Sequence, residues 1–385
     1  MKFWTVCPAS PHVEHRQAPS NVTDAGRLRA AGRLTPLVNS SRLRLARESH
    51  GWTQGQLVAE MDPPISPAAL SQLERGLTKP NAATLVALAD ATGFPPEYFV
   101  RRDGDHEIDG FFRSLRSAPA RERKWALARA HLLHDLLLAL DHHVQMPEPN
   151  YPSIAIGESG SVEQIAASVR RAWGKPTKPI KNVVRLLERH GVVVARMPLR
   201  SHKLDAFSVR FPDWPIVVLG DDKRVTARSR FDAAHELGHL VMHSTADVGD
   251  KRAEDEAHRF AAAFLMPAEE IGPKLPTSAD WGLLLDLKVE WGVSLGALLM
   301  RAKTLGIMSD YRYLSAVKFM SARGWRTREP GDEHLGRPEQ PRLIDAALQG
   351  LDIELEELVD EAALPLEPIR EILNTGGDPR TKIRF

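Results

Sequence analysis

The string His235-Glu236-Leu237-Gly238-His239 constrains this chain more than any other feature. Two histidines four residues apart share a face only on an α-helix, where they stand about 40° apart around the axis and about 6 Å along it. At that spacing both imidazoles reach one zinc ion at about 2.0–2.1 Å. Glu236 falls on the neighbouring flank, placed to take a proton from a water that the metal has made acidic. Leu237 and Leu240 point the other way and call for an apolar layer beneath the helix.

With 385 residues the chain is too long for one ordinary core, so two or three domains are expected. The composition, 43% hydrophobic and 26% charged, is that of a globular protein. A net charge of +1 leaves any electrostatic argument to local patches. The single cysteine, Cys7, rules out an internal disulfide framework and a thiolate zinc site. A metal here must be held by histidine and carboxylate. No apolar run reaches the roughly 18 residues of a membrane span. Met1 to Pro11 has one lysine and no sustained apolar stretch, so no secretion signal is expected and the simplest location is cytoplasmic.

The spacing of apolar residues and caps predicts a mainly α chain with a small β-sheet, an α+β layout. Residues 1–38 read as a flexible basic arm. Residues 39–102 read as an all-α domain with helices over Arg42–Ser49, Gln54–Met61, a third opened by Ser66-Pro67 and a fourth over Ala82–Thr92. Residues 103–150 read as a helical linker whose long helix runs from Phe111 to Val144. Residues 151–307 carry helices over Val162–Trp173 and Ile180–His190, then strands over Val192–Met197, Phe207–Phe211 and Ile216–Leu219. Helices over Arg230–His243 and Ala253–Leu265 follow. Residues 308–385 form a mostly helical C-terminal domain interrupted at Glu329–Pro341.

The helix Ala253–Leu265 begins with Glu254, Glu256 and His258 and ends at Met266-Pro267. It can supply the third ligand that a two-histidine helix lacks. The string Glu254-Asp255-Glu256-Ala257-His258-Arg259-Phe260, continued by Ala261-Ala262-Ala263-Phe264-Leu265-Met266-Pro267, resembles the ImmA/IrrE metallopeptidases. The resemblance runs from about Asp205 to Ile307. It implies a zincin-like fold of the gluzincin type, a bound Zn²⁺, Glu236 as the catalytic base and Glu254 as the third ligand beside His235 and His239. Glu256 is the alternative ligand. His258 stands where the family usually has Asn or Asp, and reads as a group orienting Glu254 or as a ligand itself. His243, one turn beyond His239, reads as a cap on the helix C-terminus. Arg228, Arg230 and His258 are the candidates for an oxyanion donor.

Residues 41–100 resemble the Xre/Cro helix-turn-helix family in Arg42-Leu43-Arg44, Trp52-Thr53-Gln54, Leu70-Ser71-Gln72-Leu73-Glu74-Arg75-Gly76 and Lys79-Pro80. The resemblance implies a helix from Ser66 entering the major groove of double-stranded DNA. Ser66, Ala69, Ser71 and Gln72 are then the candidate base readers, and Gln54 and Lys79 the candidate phosphate contacts. The basic stretch running into Arg42, Arg44 and Arg47 offers further phosphate contacts. Seven basic residues against six acids between Ser41 and Arg102 is a thin basic footprint.

Two functional readings follow. In the first, the chain cleaves a transcriptional repressor, toxin or similar regulator at a zinc site and binds an operator through its N-terminal module. The ImmA/IrrE resemblance implies stress, mobile-element or toxin–antitoxin settings. In the second, a non-catalytic or latent regulator or antitoxin uses the metallopeptidase fold to sense or bind a partner. A second copy of the chain is a further candidate partner.

Overall fold

The computed structural model describes residues 38–101, 118–154, 160–200, 204–221, 225–243, 251–351 and 353–373. Residues 1–37 of the expected arm, the start of the Phe111–Val144 helix and residues 374–385 lie outside them. Backbone contacts divide the chain into two compact units. Of the described residues, the first takes 38–101, 120–146, 346–351 and 353–371, and the second 118–119, 147–154, 160–200, 204–221, 225–243, 251–345 and 372–373. The contacts thus place the expected linker helix in the first unit and split the expected C-terminal domain between the two.

In the first unit, α1 (Ser40–Ser49), α2 (Gln54–Glu60), α3 (Pro67–Glu74), α4 (Ala82–Thr92) and α5 (Pro96–Val100) precede α6 (Ala120–Asp141). Local chemistry sets the boundaries. Thr53 and Gln56 form a reciprocal capping box at α2, and Ser66 Oγ accepts from Ala69 N before Pro67 opens α3. Asn81 caps α4, which ends at Gly93 in the left-handed region, φ +69°.

Charged residues clasp these helices together. Arg42, fully buried, makes a two-pronged pair with Asp135 of α6 at 3.0 and 3.2 Å. Arg47 grips both carboxylate oxygens of Glu74, at 2.5 and 3.0 Å, and donates to Trp52 O. Both arginines were expected among the phosphate contacts; their planar forks are instead consumed inside the unit. On α6, Arg129, His131, His134 and Asp135 are buried along with its leucines. Arg129 donates to Ser49 O and Pro368 O, and Arg101 to Ala362 O. Residues 353–371, which carry Glu354, Glu356, Glu357, Asp360 and Glu361, therefore pack within this unit.

The second unit opens with α7 (Val162–Ala172) and α8 (Val183–Arg189). Strands β1 (Val193–Met197), β2 (Ala206–Arg210) and β3 (Pro215–Gly220) form a sheet of order β1-β3-β2, parallel between β1 and β3 and antiparallel between β2 and β3. The strands fall within two residues of their expected bounds, because β-branched runs flanked by turns leave little choice of element. All five residues of β1 are buried, as in a strand covered on both faces. Then come α9 (Thr226–Met242), α10 (Lys251–Leu265), α11 (Ala268–Ile271), α12 (Trp281–Trp291), α13 (Leu295–Thr304) and α14 (Asp310–Ala322).

One core runs through this unit. Leu187, Val194, Val217 and Leu219 meet Leu237 and Leu240 of α9, Phe260 and Phe264 of α10, and Trp291 and Leu298 of the α12–α13 pair. The Pro/Glu/Gly-rich stretch 329–341, read from sequence as an interruption, ties helix starts in place. Glu339 accepts from Val183 N and Val184 N at 2.7 and 3.0 Å and pairs with buried Arg230. Glu329 accepts from Leu295 N, Gly296 N and the buried Lys288 ammonium. In both cases a carboxylate neutralises the positive end of a helix and satisfies N–H groups that have no partner inside it.

Candidate metal centre

The histidine helix α9 and the acidic helix α10 pack against each other in the second unit. Gly238 makes that approach close. A Cβ built there would sit 3.0 Å from Phe260 Cδ1 and 3.2 Å from its Cβ and Cγ. A side chain at this position would press on Phe260, which would have to give by a few tenths of an ångström. The helix contact in turn sets how near the start of α10 comes to His235 and His239.

Glu254 arrives between the two rings. Its Oε2 is 3.3 Å from His235 Nε2, its Oε1 is 3.6 Å from His239 Nε2, and the two Nε2 atoms are 3.1 Å apart. Donors around a tetrahedral zinc, each at about 2.05 Å, stand about 3.3–3.4 Å from one another. The three separations bracket that edge. Among the described residues, His235, His239 and Glu254 form the one group of three or more histidine, cysteine or acidic side chains with ligand atoms converging closely enough for a metal.

The electrostatics suit a cation. Burial, reinforced by the neighbouring His239 and His258 rings, pushes the His235 pKa down from 6.5 to about 4, so its imidazole is neutral at pH 7. Burial works against the Glu254 carboxylate, but hydrogen bonds from His235 and His239 outweigh it and hold the group well below the ordinary range. Neutral imidazoles and an ionised carboxylate are the protonation states a divalent ion requires.

Glu236 is 2% exposed and its Oε2 accepts from Ser208 Oγ at 2.7 Å. Burial, with repulsion from Glu254 and Asp232, raises its pKa from 4.5 to about 8 against the lowering by Ser208. A carboxyl group that changes charge near neutral pH is suited to proton transfer. Ser208 was not foreseen. It lies on β2 opposite Val217, and nothing in the sequence distinguishes it from any other polar strand residue.

The other candidates fall in different places. His258 is exposed; its Nδ1 lies 2.9 Å from the backbone oxygen of Glu254 and its ring packs edge-on against His235. It touches a ring of the triad but is not among the converging donors. Glu256, the alternative ligand, is buried and faces His243 Nε2 at 3.3 Å instead of the histidine pair. His243 is the C-cap residue of α9, as expected: its backbone leaves the helix with ψ 139° while its N–H donates to His239 O, and Arg210 of β2 adds donors to Leu240 O and His243 O. Of the candidate oxyanion donors, Arg230 is fully engaged with Glu339 and the carbonyls of Ile180, Lys181, Trp291 and Gly292, and Arg228 pairs with Asp205.

In the first unit, Ser66, Gln72 and Lys79 are exposed, while Ala69 and Ser71 are half-buried along α3. Gln54, at the start of α2, donates its amide to Glu74 Oε2 at 2.8 Å. It thus joins the Arg47–Glu74 clasp, which shifts it from the free phosphate-facing orientation expected of it.

Comparison with known families agrees with both halves. Residues 187–303 match a peptidase family model described as the IrrE N-terminal-like domain, and residues 43–99 match a model described as helix-turn-helix. No curated protein matches the chain. The chain therefore couples a DNA-binding type of helix-turn-helix to a peptidase-like domain in an α+β layout. Among the described residues no helix is long and apolar enough to cross a membrane.

Proposed function

We propose that the chain is a zinc-dependent endopeptidase that cleaves a transcriptional repressor or similar regulatory protein, and that its helix-turn-helix binds double-stranded operator DNA. The observation that carries this reading is the convergence of His235, His239 and Glu254 at tetrahedral-edge separations, with Glu236 adjacent in sequence and buried. These three residues would hold the ion. Bound there, zinc would supply a Lewis acid and a strong local positive charge.

The protein's own groups do the rest. Glu236 accepts the proton of the attacking water at the carboxylate held by Ser208 and returns it to the leaving amine. The Ser208 hydrogen bond keeps that carboxylate in one orientation, and positive charge beside it favours its ionised form. Glu254 stays anionic and His235 neutral throughout the working pH range. The match to a peptidase family supports the class of reaction. The regulatory substrate rests on the helix-turn-helix in the same chain.

The test is terminal-amine labelling of a cell extract incubated with zinc-loaded protein. New protein N-termini should accumulate with wild type and be absent with Glu236→Gln. Identical termini with both proteins, or none with either, would leave a regulator that binds without cutting.

A further inference from the structure

Behind His239 lies a line of buried polar groups that neither the metal set nor the proton transfer uses. His239 Nδ1 is 3.0 Å from His243 Nδ1, and His243 Nε2 is 3.3 Å from Glu256 Oε2. His239, His243 and Glu256 are 5%, 7% and 6% exposed. The other Glu256 oxygen, Oε1, lies 3.7 Å from Arg252 Nε on the protein surface. His243 ends α9 through its backbone N–H, which donates to His239 O, while Arg210 donates to Leu240 O and His243 O, so the ring of residue 243 is not used in ending the helix.

Two nitrogens facing each other need one proton between them, and the chemistry at each end fixes where every proton sits. If His239 presents its Nε2 lone pair to a metal, its proton is on Nδ1. His239 Nδ1–H then donates to His243 Nδ1, which must be the bare nitrogen. The proton of His243 is therefore on Nε2, where the Glu256 carboxylate accepts it. This tautomer at each ring satisfies the His239–His243 and His243–Glu256 contacts together, and it leaves His239 Nε2 bare to face a metal.

We propose that His243 and Glu256 act as positioning residues, a histidine–carboxylate relay that locks the tautomer and orientation of His239 and strengthens it as a metal ligand. The proposal rests on the metal site proposed above and assigns work to two residues outside it. A carboxylate or carbonyl behind a ligating histidine is the usual arrangement in metal sites. Here an interposed imidazole extends that arrangement by one ring, back to Glu256 on α10. Because Glu254 and Glu256 share that helix, one element supplies both a ligand to the metal and the anchor for a second ligand.

Zinc affinity, measured by chelator competition on the full chain, tests this through the variants His243→Phe, Glu256→Gln and the pair together. Loss of the relay should weaken zinc binding by roughly 10–100-fold in His243→Phe. Glu256→Gln should weaken it less, since an amide oxygen still accepts from Nε2–H. The double variant should bind no worse than His243→Phe alone, because Glu256 acts through His243. Losses that multiply in the double variant, or affinity unchanged in both single variants, would overturn the relay. Long-range ¹⁵N NMR of zinc-loaded protein labelled at histidine gives a readout that a purely structural role would not move. It should report His243 as the Nε2–H tautomer, and an Nδ1–H tautomer contradicts the proposal even if every variant folds poorly. Failure of the wild type to bind zinc would refute the metal site itself, a distinct outcome.

Discussion

Gly238→Ala is the sharpest single test of how the fold builds the site. The added Cβ would meet Phe260 at 3.0–3.2 Å, where apolar carbons prefer about 3.5–4.0 Å. Phe260 is fully buried, so relief requires its ring and α10 to give by a few tenths of an ångström. Overpacking of that kind costs about 1–3 kcal/mol, and replacing glycine by alanine inside a helix returns about 1 kcal/mol. The metal-free variant should therefore be less stable by no more than about 2 kcal/mol. A displacement of a few tenths of an ångström exceeds the tolerance of about 0.2 Å in metal–ligand distances, so zinc affinity should fall at least about tenfold. Chemical denaturation gives the first quantity and chelator competition the second. Zinc affinity within twofold of wild type, in a variant that folds, would refute the claim that this close approach places Glu254.

Metal-free Glu236→Gln should be more stable than metal-free wild type at pH 8 and indistinguishable from it near pH 4.5. The raised pKa of Glu236 makes its contribution fully present below pH 4.5 and progressively lost as pH rises through about 8, whereas glutamine does not titrate. Melting temperatures of both proteins across that range check the sign, and a gap that narrows with rising pH contradicts it. Glu339→Ala should destabilise the second unit by about 3 kcal/mol or more. It strips the carboxylate from buried Arg230 and from the start of α8, and a loss below about 1 kcal/mol by denaturation would show that the strap is not structural.

Much of the site was legible because helical periodicity converts sequence spacing into geometry. His235 and His239 share a face for that reason alone, and Ser66-Pro67 or Thr53 with Gln56 declare helix starts through local bonding. What escaped the sequence depends on pairs distant along the chain. Arg42 with Asp135, Arg47 with Glu74, and Arg230 with Glu339 are separated by 93, 27 and 109 positions. A surface arginine and a buried one look alike until the partner is known. His243 does end α9 as its position implies, but the contact of its ring with Glu256 and the Arg210 donor from a strand 33 positions earlier could not be read from that position. The Glu329–Pro341 stretch has the composition of a loop, and its ordering comes from helix N-termini elsewhere in the second unit.

The most direct measurement is the zinc K-edge absorption spectrum of protein loaded with one equivalent of zinc. A first shell of two imidazoles plus carboxylate and solvent oxygen at about 2.0–2.1 Å is expected, with the imidazole scattering diminished in His235→Ala and His239→Ala. A shell lacking imidazole, or one untouched by those substitutions, would contradict the account at its root.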